Sequence, residues 1–275
     1  MQAGLPNCAE VGLIKDRLDR VLLAQGHATS RERAQALILA GRVLVNEQRV
    51  DKPGTGVDPL SAIRLLGSDL RYVSRGGLKL ECALMHWGID LTGSAGVDIG
   101  TSTGGFTDCM LQYGAARVIA VDTGYGQIAE GLRRDARVVL HERTNARLLE
   151  AGALVGDFPE EQSPVLLAMD VSFISATLVL PAVLGALAPP GDRWSGEVVI
   201  LVKPQFEAGR EHVGKGGIVR DREARSSAVE RVRACVEGQG GEGIEVIDSP
   251  ILGREGNHEF LLHGRLGRAS EKADG

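Results

Sequence analysis

The chain is 275 residues long, 43% hydrophobic and 24% charged, with a formal net charge of −5. That length is generous for one compact domain and comfortable for two. No run of about 18 uncharged apolar residues is present, which excludes a membrane-spanning helix, and the first ten residues, MQAGLPNCAE, lack the basic and apolar regions of a secretory leader, so a cytoplasmic protein is expected.

Cysteines and histidines narrow the chemistry. Cys8, Cys82, Cys109 and Cys235 are scattered with no C-x-x-C pair, and the six histidines are dispersed. Neither a disulfide framework nor a metal site is expected. The charge is unevenly spread: residues 1–80 hold 12 Lys and Arg against 8 Asp and Glu, and residues 81–275 hold 19 against 28. A basic N-terminal part on an acidic body points to phosphate contact at that end.

Residues 1–11 read as a flexible tail. Ile14, Leu18, Val21 and Leu22 recur at helical spacing in IKDRLDRVLLAQG, which predicts a helix closed by Gly26. Ser30 caps a second helix in SRERAQALILAGR, with Ala34, Leu37 and Ile38 as its apolar face and Gly41 as its end. Short strands follow in VLVN and, after a turn at Asn46-Glu47-Gln48, in RV; KPGTGVDP is turn-rich and AIRLL is another strand. Two helices and a small β-segment in about 55 residues make a core suited to an appended binding module. It is assigned to 12–67, with a linker at 68–75.

From residue 76 onward helix and strand alternate. GLKLECALMHWG reads as a helix, AGVDIG as a strand running into a glycine-rich turn, GFTDCMLQYG as a helix and RVIAVDTG as a strand. RVVLHE, VLLAMDVS and EVVILVKP are further strands, with a helix in ISATLVLPAVLGALA between the last two. GREHVGKGGIVRD reads as a mobile loop, REARSSAVERVRACVEGQG as an amphipathic helix, and IEVIDSPI and HEFLLHGR as closing strands. Alternation of this kind implies an α/β domain over 76–268, with a mostly parallel sheet and helices on both faces. Residues 269–275 read as a second flexible tail.

The sharpest motif is VDIGTSTGGFTDCMLQYGAARVIAVDTGYGQ. A strand ends at Gly100, Gly104 and Gly105 follow, a helix begins near Phe106, and a second strand ends at Asp122. Glycine lets backbone lie against a ligand, and an acid at the end of the second strand can accept hydrogen bonds from ribose hydroxyls. The spacing is not the dinucleotide G-x-G-x-x-G. Asp98 followed by this glycine run and a later Val-Asp resembles the cofactor loop of class I methyltransferases, which bind S-adenosylmethionine. Two further polar residues, Asp170 and Lys203, end strands, where ligands of open α/β sheets bind. Lys79 and Glu259 do not follow from that rule.

Longer motifs carry a more specific resemblance. RLDRVLLAQG, SRERAQALILAG and VLVNEQRVDKPG resemble an S4 RNA-binding domain. YVSRGGLKLE, the glycine-rich motif, VIAVDTGYGQ, HERTNAR, MDVSFIS, LVKPQFEAGR, VGKGGIVRD and GNHEFLLH are similar to the TlyA (haemolysin-A-like) family of ribosomal RNA 2′-O-methyltransferases, whose catalytic domain is of the FtsJ class. The resemblance runs from about Arg17 to Arg265. It implies a seven-stranded Rossmann-like domain acting on ribosomal RNA of either subunit, with cytidine as the acceptor. It also implies a Lys-Asp-Lys-Glu set at Lys79, Asp170, Lys203 and Glu259. Lys203 would be the base for the 2′-hydroxyl, its neutral form favoured by partial desolvation or a nearby cation. Asp170 would orient it, and Lys79 and Glu259 would hold the ribose. Sulfonium carries its own leaving group, so the chemistry needs no metal.

The cofactor site is expected to use Asp98, Gly100, Ser102, Thr103, Gly104, Gly105, Phe106, Asp122 and Asp170. Asn145 would lie by the adenine, or would merely cap a loop. RNA phosphates would meet Arg17, Arg20, Arg31, Arg33, Arg42, Arg49 and Arg71, with Arg75, Lys215 and Arg220 extending the track. Asp19 reads as a structural ion-pair partner. Two other readings stand beside this one. A membrane-acting haemolysin is disfavoured by the missing leader and spanning segments, and a non-catalytic ribosome-binding protein by the complete four-residue set.

Overall fold

The computed structural model describes residues 15–28, 30–66, 71–159, 164–253 and 256–267. The tails expected at 1–11 and 269–275, Cys8, Ile14 and the first part of the expected linker, 68–70, lie outside the described residues. Two compact units are present, the second beginning at Arg71.

The first unit contains β1 (Asp16–Arg17), α1 (Leu18–Ala24), α2 (Arg31–Leu39), β2 (Val43–Val45), β3 (Gln48–Arg49), β4 (Gly56–Val57) and β5 (Ile63–Leu65). The helical spacing from Ile14 overstates α1. Asp16 and Arg17 pair antiparallel with Val57 and Gly56. The N–H groups of Leu18 and Asp19 donate to Thr55 and Pro53 carbonyls at 2.9 and 3.1 Å. The turn-rich segment thus supplies acceptors for two of the donors that a helix starting at Leu18 leaves without an intrahelical partner. Ser30 Oγ caps α2 by accepting from Arg33 N–H at 3.2 Å. Asn46 and Glu47 both have positive φ, the conformation of a two-residue hairpin matched to strand twist. Leu18, Val21 and Leu22 of α1 meet Ala34, Leu37 and Ile38 of α2 over Val43 and Val45.

The second unit runs α3 (Gly76–Trp87), β6 (Ala95–Ile99), α4 (Gly105–Gln112), β7 (Arg117–Val121), α5 (Glu130–Arg133), β8 (Val138–His141), β9 (Leu166–Met169), α6 (Ala176–Ala186), β10 (Gly196–Val202), α7 (Pro204–Glu207), α8 (Arg222–Gly238), β11 (Gly241–Asp248) and β12 (Phe260–Leu266). Its sheet has the order β11-β12-β10-β9-β6-β7-β8. The five strands from β10 to β8 are parallel, and β12 is antiparallel to both its neighbours.

Side-chain alternation divides the core. Val97, Ile99, Leu167, Met169, Val198, Ile200 and Val202 face α6 and α8. Leu166, Ala168, Val199, Leu201 and Leu261 face α3 and α4. Each central strand is buried on both faces, as a parallel sheet between helices requires. Residues 71–75 correct the linker expectation, because they pack in this unit. Tyr72 is buried, Val73 N–H donates to Asp108 at 2.7 Å, and a Cβ at Gly77 would collide with the Tyr72 ring. Glycine at 77 is what makes room for that anchor.

Candidate active site

Strand parity brings the four polar residues to one place. Lys203 follows Val202 and Asp170 follows Met169, so both turn to the α3/α4 face. Because β12 is antiparallel with Phe260 opposite Val202, Glu259 comes one step beyond, level with Lys203. Lys79 lies in the first turns of α3 on that same face.

The four form two ion pairs. Lys79 Nζ lies 2.5 Å from Glu259 Oε2, with side chains 11% and 3% exposed. Lys203 Nζ lies 2.5 Å from Asp170 Oδ1 and donates to Ser172 Oγ at 2.7 Å. Gly76 brings α3 onto this second pair: a Cβ there would be 4.0 Å from Asp170 Oδ2. Lys79 and Asp170 line a hollow of about 410 Å3 with Gly100, Ser102, Thr103 and Phe106. A second hollow of about 360 Å3 adjoins it across Gly100, Ser102 and Asp170, and reaches Asp122, Asn145 and Phe173. Lys203 and Glu259 line neither hollow and stand behind their partners.

The glycine turn is built for close approach. Gly100 has φ +88, and a Cβ on it would meet the Asp170 carbonyl oxygen at 2.5 Å. Ser102 also has positive φ, and its N–H donates to Asp122 Oδ2 at 2.7 Å, while Gly124 N–H donates to Oδ1 at 2.6 Å. Asp122 therefore ties the turn to the end of β7. Gly105 lines the first hollow, and Gly104 does not: its φ of +95, together with the Leu132 side chain packed where a Cβ would lie, favours glycine there for the backbone.

Asp98 also departs from the expected placement, since it lines neither hollow. It is fully buried behind the turn, where Oδ2 accepts from Thr107 N–H at 3.0 Å and Thr107 Oγ1 at 2.6 Å, and Oδ1 has no partner. Burial pushes its carboxyl up to about 7 against those two stabilising bonds. Asn145 lines the second hollow and caps a short helical turn by accepting from Arg147 N–H at 3.1 Å.

The arginines of the first unit are less available than their number suggests. Asp19, with no solvent exposure, accepts from Arg17 at 3.0 Å, Arg31 at 3.1 Å and Gln35 at 2.9 Å. It is the structural ion-pair partner its position implies. Arg20 lies 3.8 Å from Asp16, Arg42 donates to the Leu66 carbonyl, the Arg49 guanidinium covers Gly41, and half-buried Arg33 sits on α2. In the second unit Arg71 pairs with Glu81, Arg75 lines the first hollow, and Lys215 and Arg220 are exposed. The loop carrying Lys215 is held at its far end, where buried Asn257 accepts from Val219 N–H at 3.0 Å and donates to the Gly217 carbonyl at 2.9 Å.

Sequence reasoning missed Ser172, the second partner of Lys203, and Phe173. The latter is 92% exposed at the rim of the second hollow, has φ +65, and lies 5.3 Å from the Phe206 ring. An apolar residue in an exposed strand-to-helix turn, as in MDVSFIS, is the signal that could have found it.

A mostly parallel seven-stranded sheet with a glycine turn after its first strand and an acid after its second defines a Rossmann-like methyltransferase-type domain. Residues 72–266 match the FtsJ-like methyltransferase family and residues 16–60 match the S4 domain. The chain belongs to the FtsJ-like methyltransferase family and carries an S4 domain ahead of the catalytic one. It is 42% identical over 247 residues to TlyA of Mycobacterium tuberculosis, named a 16S/23S rRNA (cytidine-2'-O)-methyltransferase, spanning 90% of this chain and 88% of that protein. Identity to Hemolysin A of Brachyspira hyodysenteriae is 38%, over 90% of this chain and 98% of that one. The solved structure of a protein from Streptococcus thermophilus, provisionally named a hemolysin, superposes with a TM-score of 0.66 at 43% identity, covering 92% of this chain and 89% of that chain. Among the described residues no helix is long and apolar enough to cross a membrane.

Proposed function

We propose that the protein transfers a methyl group from S-adenosylmethionine to the 2′-oxygen of a cytidine ribose in ribosomal RNA, working in the cytoplasm on ribosomal subunits or their RNA. The observation that carries this reading is the pairing of Lys203 with Asp170 and Lys79 with Glu259 beside the hollow under the Gly100 turn. The names of the relatives supply the acceptor class.

The residues present fit the cofactor. A turn in which Gly100 has no room for a Cβ separates two adjoining hollows, one for each end of an amino-acid nucleoside. Gly100, Ser102, Thr103, Gly105 and Phe106 would hold the methionine end. Asp122 and Asn145 would hold the ribose and adenine, because each Asp122 oxygen keeps a lone pair beyond its backbone bond. Asp98 would act from behind, by fixing Thr107 and the start of α4. When bound, the cofactor supplies the methyl group together with its own leaving group.

The protein's part is to place and deprotonate the acceptor. Lys203 first gives up its ion-pair proton to solvent, its neutral Nζ then takes the 2′-hydroxyl proton, and Asp170 and Ser172 aim the amine. Lys79, held by Glu259, donates toward the acceptor ribose from the facing helix. Holding acceptor and donor in line contributes several kcal/mol, roughly 7–11 where alignment is best. Incubation with labelled S-adenosylmethionine and ribosomal subunits or naked ribosomal RNA tests the reading. A 2′-O-methylcytidine is expected, with the rate lowered about 100-fold or more by Lys203→Ala. No 2′-O-methyl product, or full activity in both Lys203→Ala and Asp170→Ala, overturns it.

A further inference from the structure

Glu207 lies outside the four-residue set and is buried at 3% exposure at the end of α7. Its Oε1 accepts from Ala176 N–H at 2.7 Å and its Oε2 from Ser175 Oγ at 2.5 Å. Those two residues open α6, directly after the segment that carries Asp170, Ser172 and Phe173. Lys203 is the N-cap of α7, Pro204 fixes the first helical residue, and Phe206 N–H donates back to the Lys203 carbonyl at 2.9 Å. One short turn of helix therefore joins Lys203 rigidly to Glu207.

The two segments meet at three successive rungs. Lys203 reaches Asp170 and Ser172, the Phe206 ring lies against Phe173, and Glu207 closes on Ser175 and Ala176. We propose that Glu207 is a positioning residue that sets where the Lys203 amine sits against Asp170 and Ser172, by clasping the far end of α7 to the start of α6. The proposal rests on the function given above and assigns Glu207 no contact with substrate.

A buried carboxyl is a demanding choice for simple packing. Burial pushes the Glu207 carboxyl above its ordinary range, opposed by the bonds from Ser175 and Ala176 and by the nearby Arg231 charge. An apolar side chain would fill the space without that desolvation, but it would give no directional hold on two donors of another segment. Arg231 of α8 also donates to the Glu207 carbonyl, which fixes the backbone at this corner. What the carboxyl adds is a fixed relative position of the two segments, at the end of a lever whose other end is the base.

Single-turnover methyl transfer at saturating RNA and cofactor, cofactor affinity by calorimetry and thermal melting together test this. Glu207→Ala is expected to slow transfer about 10- to 100-fold, the range for misplacing a reacting group by about 1 Å, while cofactor affinity changes less than about twofold. Glu207→Gln keeps an acceptor for Ala176 and a polar partner for Ser175, and is expected to restore most of the rate. Val232→Ala, a buried substitution on α8, supplies a control of lowered melting temperature with the rate intact. The proposal is overturned if Glu207→Ala keeps the wild-type rate, if Gln is as slow as Ala, or if Val232→Ala slows transfer as much. Should Glu207→Ala not fold, Ser175→Ala removes one of the two Glu207 bonds along with the α6 cap on Thr177, and an unchanged rate in that variant overturns the proposal. A wild-type protein that transfers no methyl group to RNA defeats the proposed function instead.

Discussion

Asp98 makes a pH-dependent claim on the stability of the catalytic domain. Its carboxyl is enclosed behind the glycine turn, one oxygen is unpartnered, and burial raises it from an ordinary value of 3.8 to about 7. Between those values the folded protein holds a proton that the unfolded chain has released. The folded state is therefore favoured at low pH, and that advantage is lost as pH rises through the window toward 7. Roughly three pH units correspond to about 4 kcal/mol, felt in full only above neutrality. Asp98→Asn keeps an acceptor for Thr107 and has nothing to titrate. Relative to wild type it should gain stability as pH is raised from 5 to 8; that range crosses about two of the three units, roughly 3 kcal/mol, so the difference in melting temperature should change by about 5–10 °C for a domain of this size. Both tryptophans, Trp87 and Trp194, lie in the catalytic domain, so fluorescence-detected unfolding without cofactor reads that domain alone. Other titrating groups are common to both proteins and drop out of the difference. Parallel stability curves for the two proteins from pH 5 to 8 would refute the reasoning.

Two further outcomes follow from the site and from the S4 unit. Phe173 is an exposed ring held with positive φ at the rim of the second hollow, which suits stacking of an acceptor base. Phe173→Ala should lower kcat/KM for RNA by the equivalent of about 1–3 kcal/mol with cofactor affinity unchanged; equal loss of cofactor binding in a titration would place the ring against the adenine end of the second hollow instead. Asp19→Ala strips the buried acceptor from Arg17, Arg31 and Gln35 and should cost the S4 unit about 1–3 kcal/mol, read as faster proteolysis of residues 15–66 while tryptophan fluorescence stays native. Bonds from Arg17, Gln35 and Arg31 hold that carboxyl well below its usual range against the cost of burial, so its stabilisation is present above its unfolded value near 3.8 and fades as acid is added below it.

Much of the fold was readable because its elements announce themselves locally. The parallel strands are mostly apolar, and the ends of the first two helices are marked by Ser30, Gly26 and Gly41, so period and punctuation agree there. The misreadings have two physical causes, packing contacts that no local pattern shows and helices too short to show a period. Helical spacing from Ile14 is overridden because Thr55 and Pro53 carbonyls take the first amides of α1. Residues 71–75 look like linker because Tyr72 is anchored by a gap at Gly77, a feature no local pattern shows. Helices α5 and α7 have four residues each, too few to display a period.

The site was legible to unequal depth for a related reason. Asp170 and Lys203 end strands, and a strand end is visible in one dimension. Glu259 required the knowledge that β12 runs antiparallel beside β10, and Lys79 required the face of α3, so only long family motifs could name them in advance. Even those motifs say which residues matter without saying how they pair. The structure shows the pairing: Lys79, held by buried Glu259, lines the hollow, and Lys203, held by half-buried Asp170, stands behind it, so two lysine charges that would repel are each offset by a carboxylate. Asp98 shows the converse, a motif acid whose place in the sequence suggests ligand contact and whose side chain instead braces the turn from behind. Motif position thus marks the neighbourhood of the hollows, and the direction in which a side chain leaves its strand decides whether it lines them.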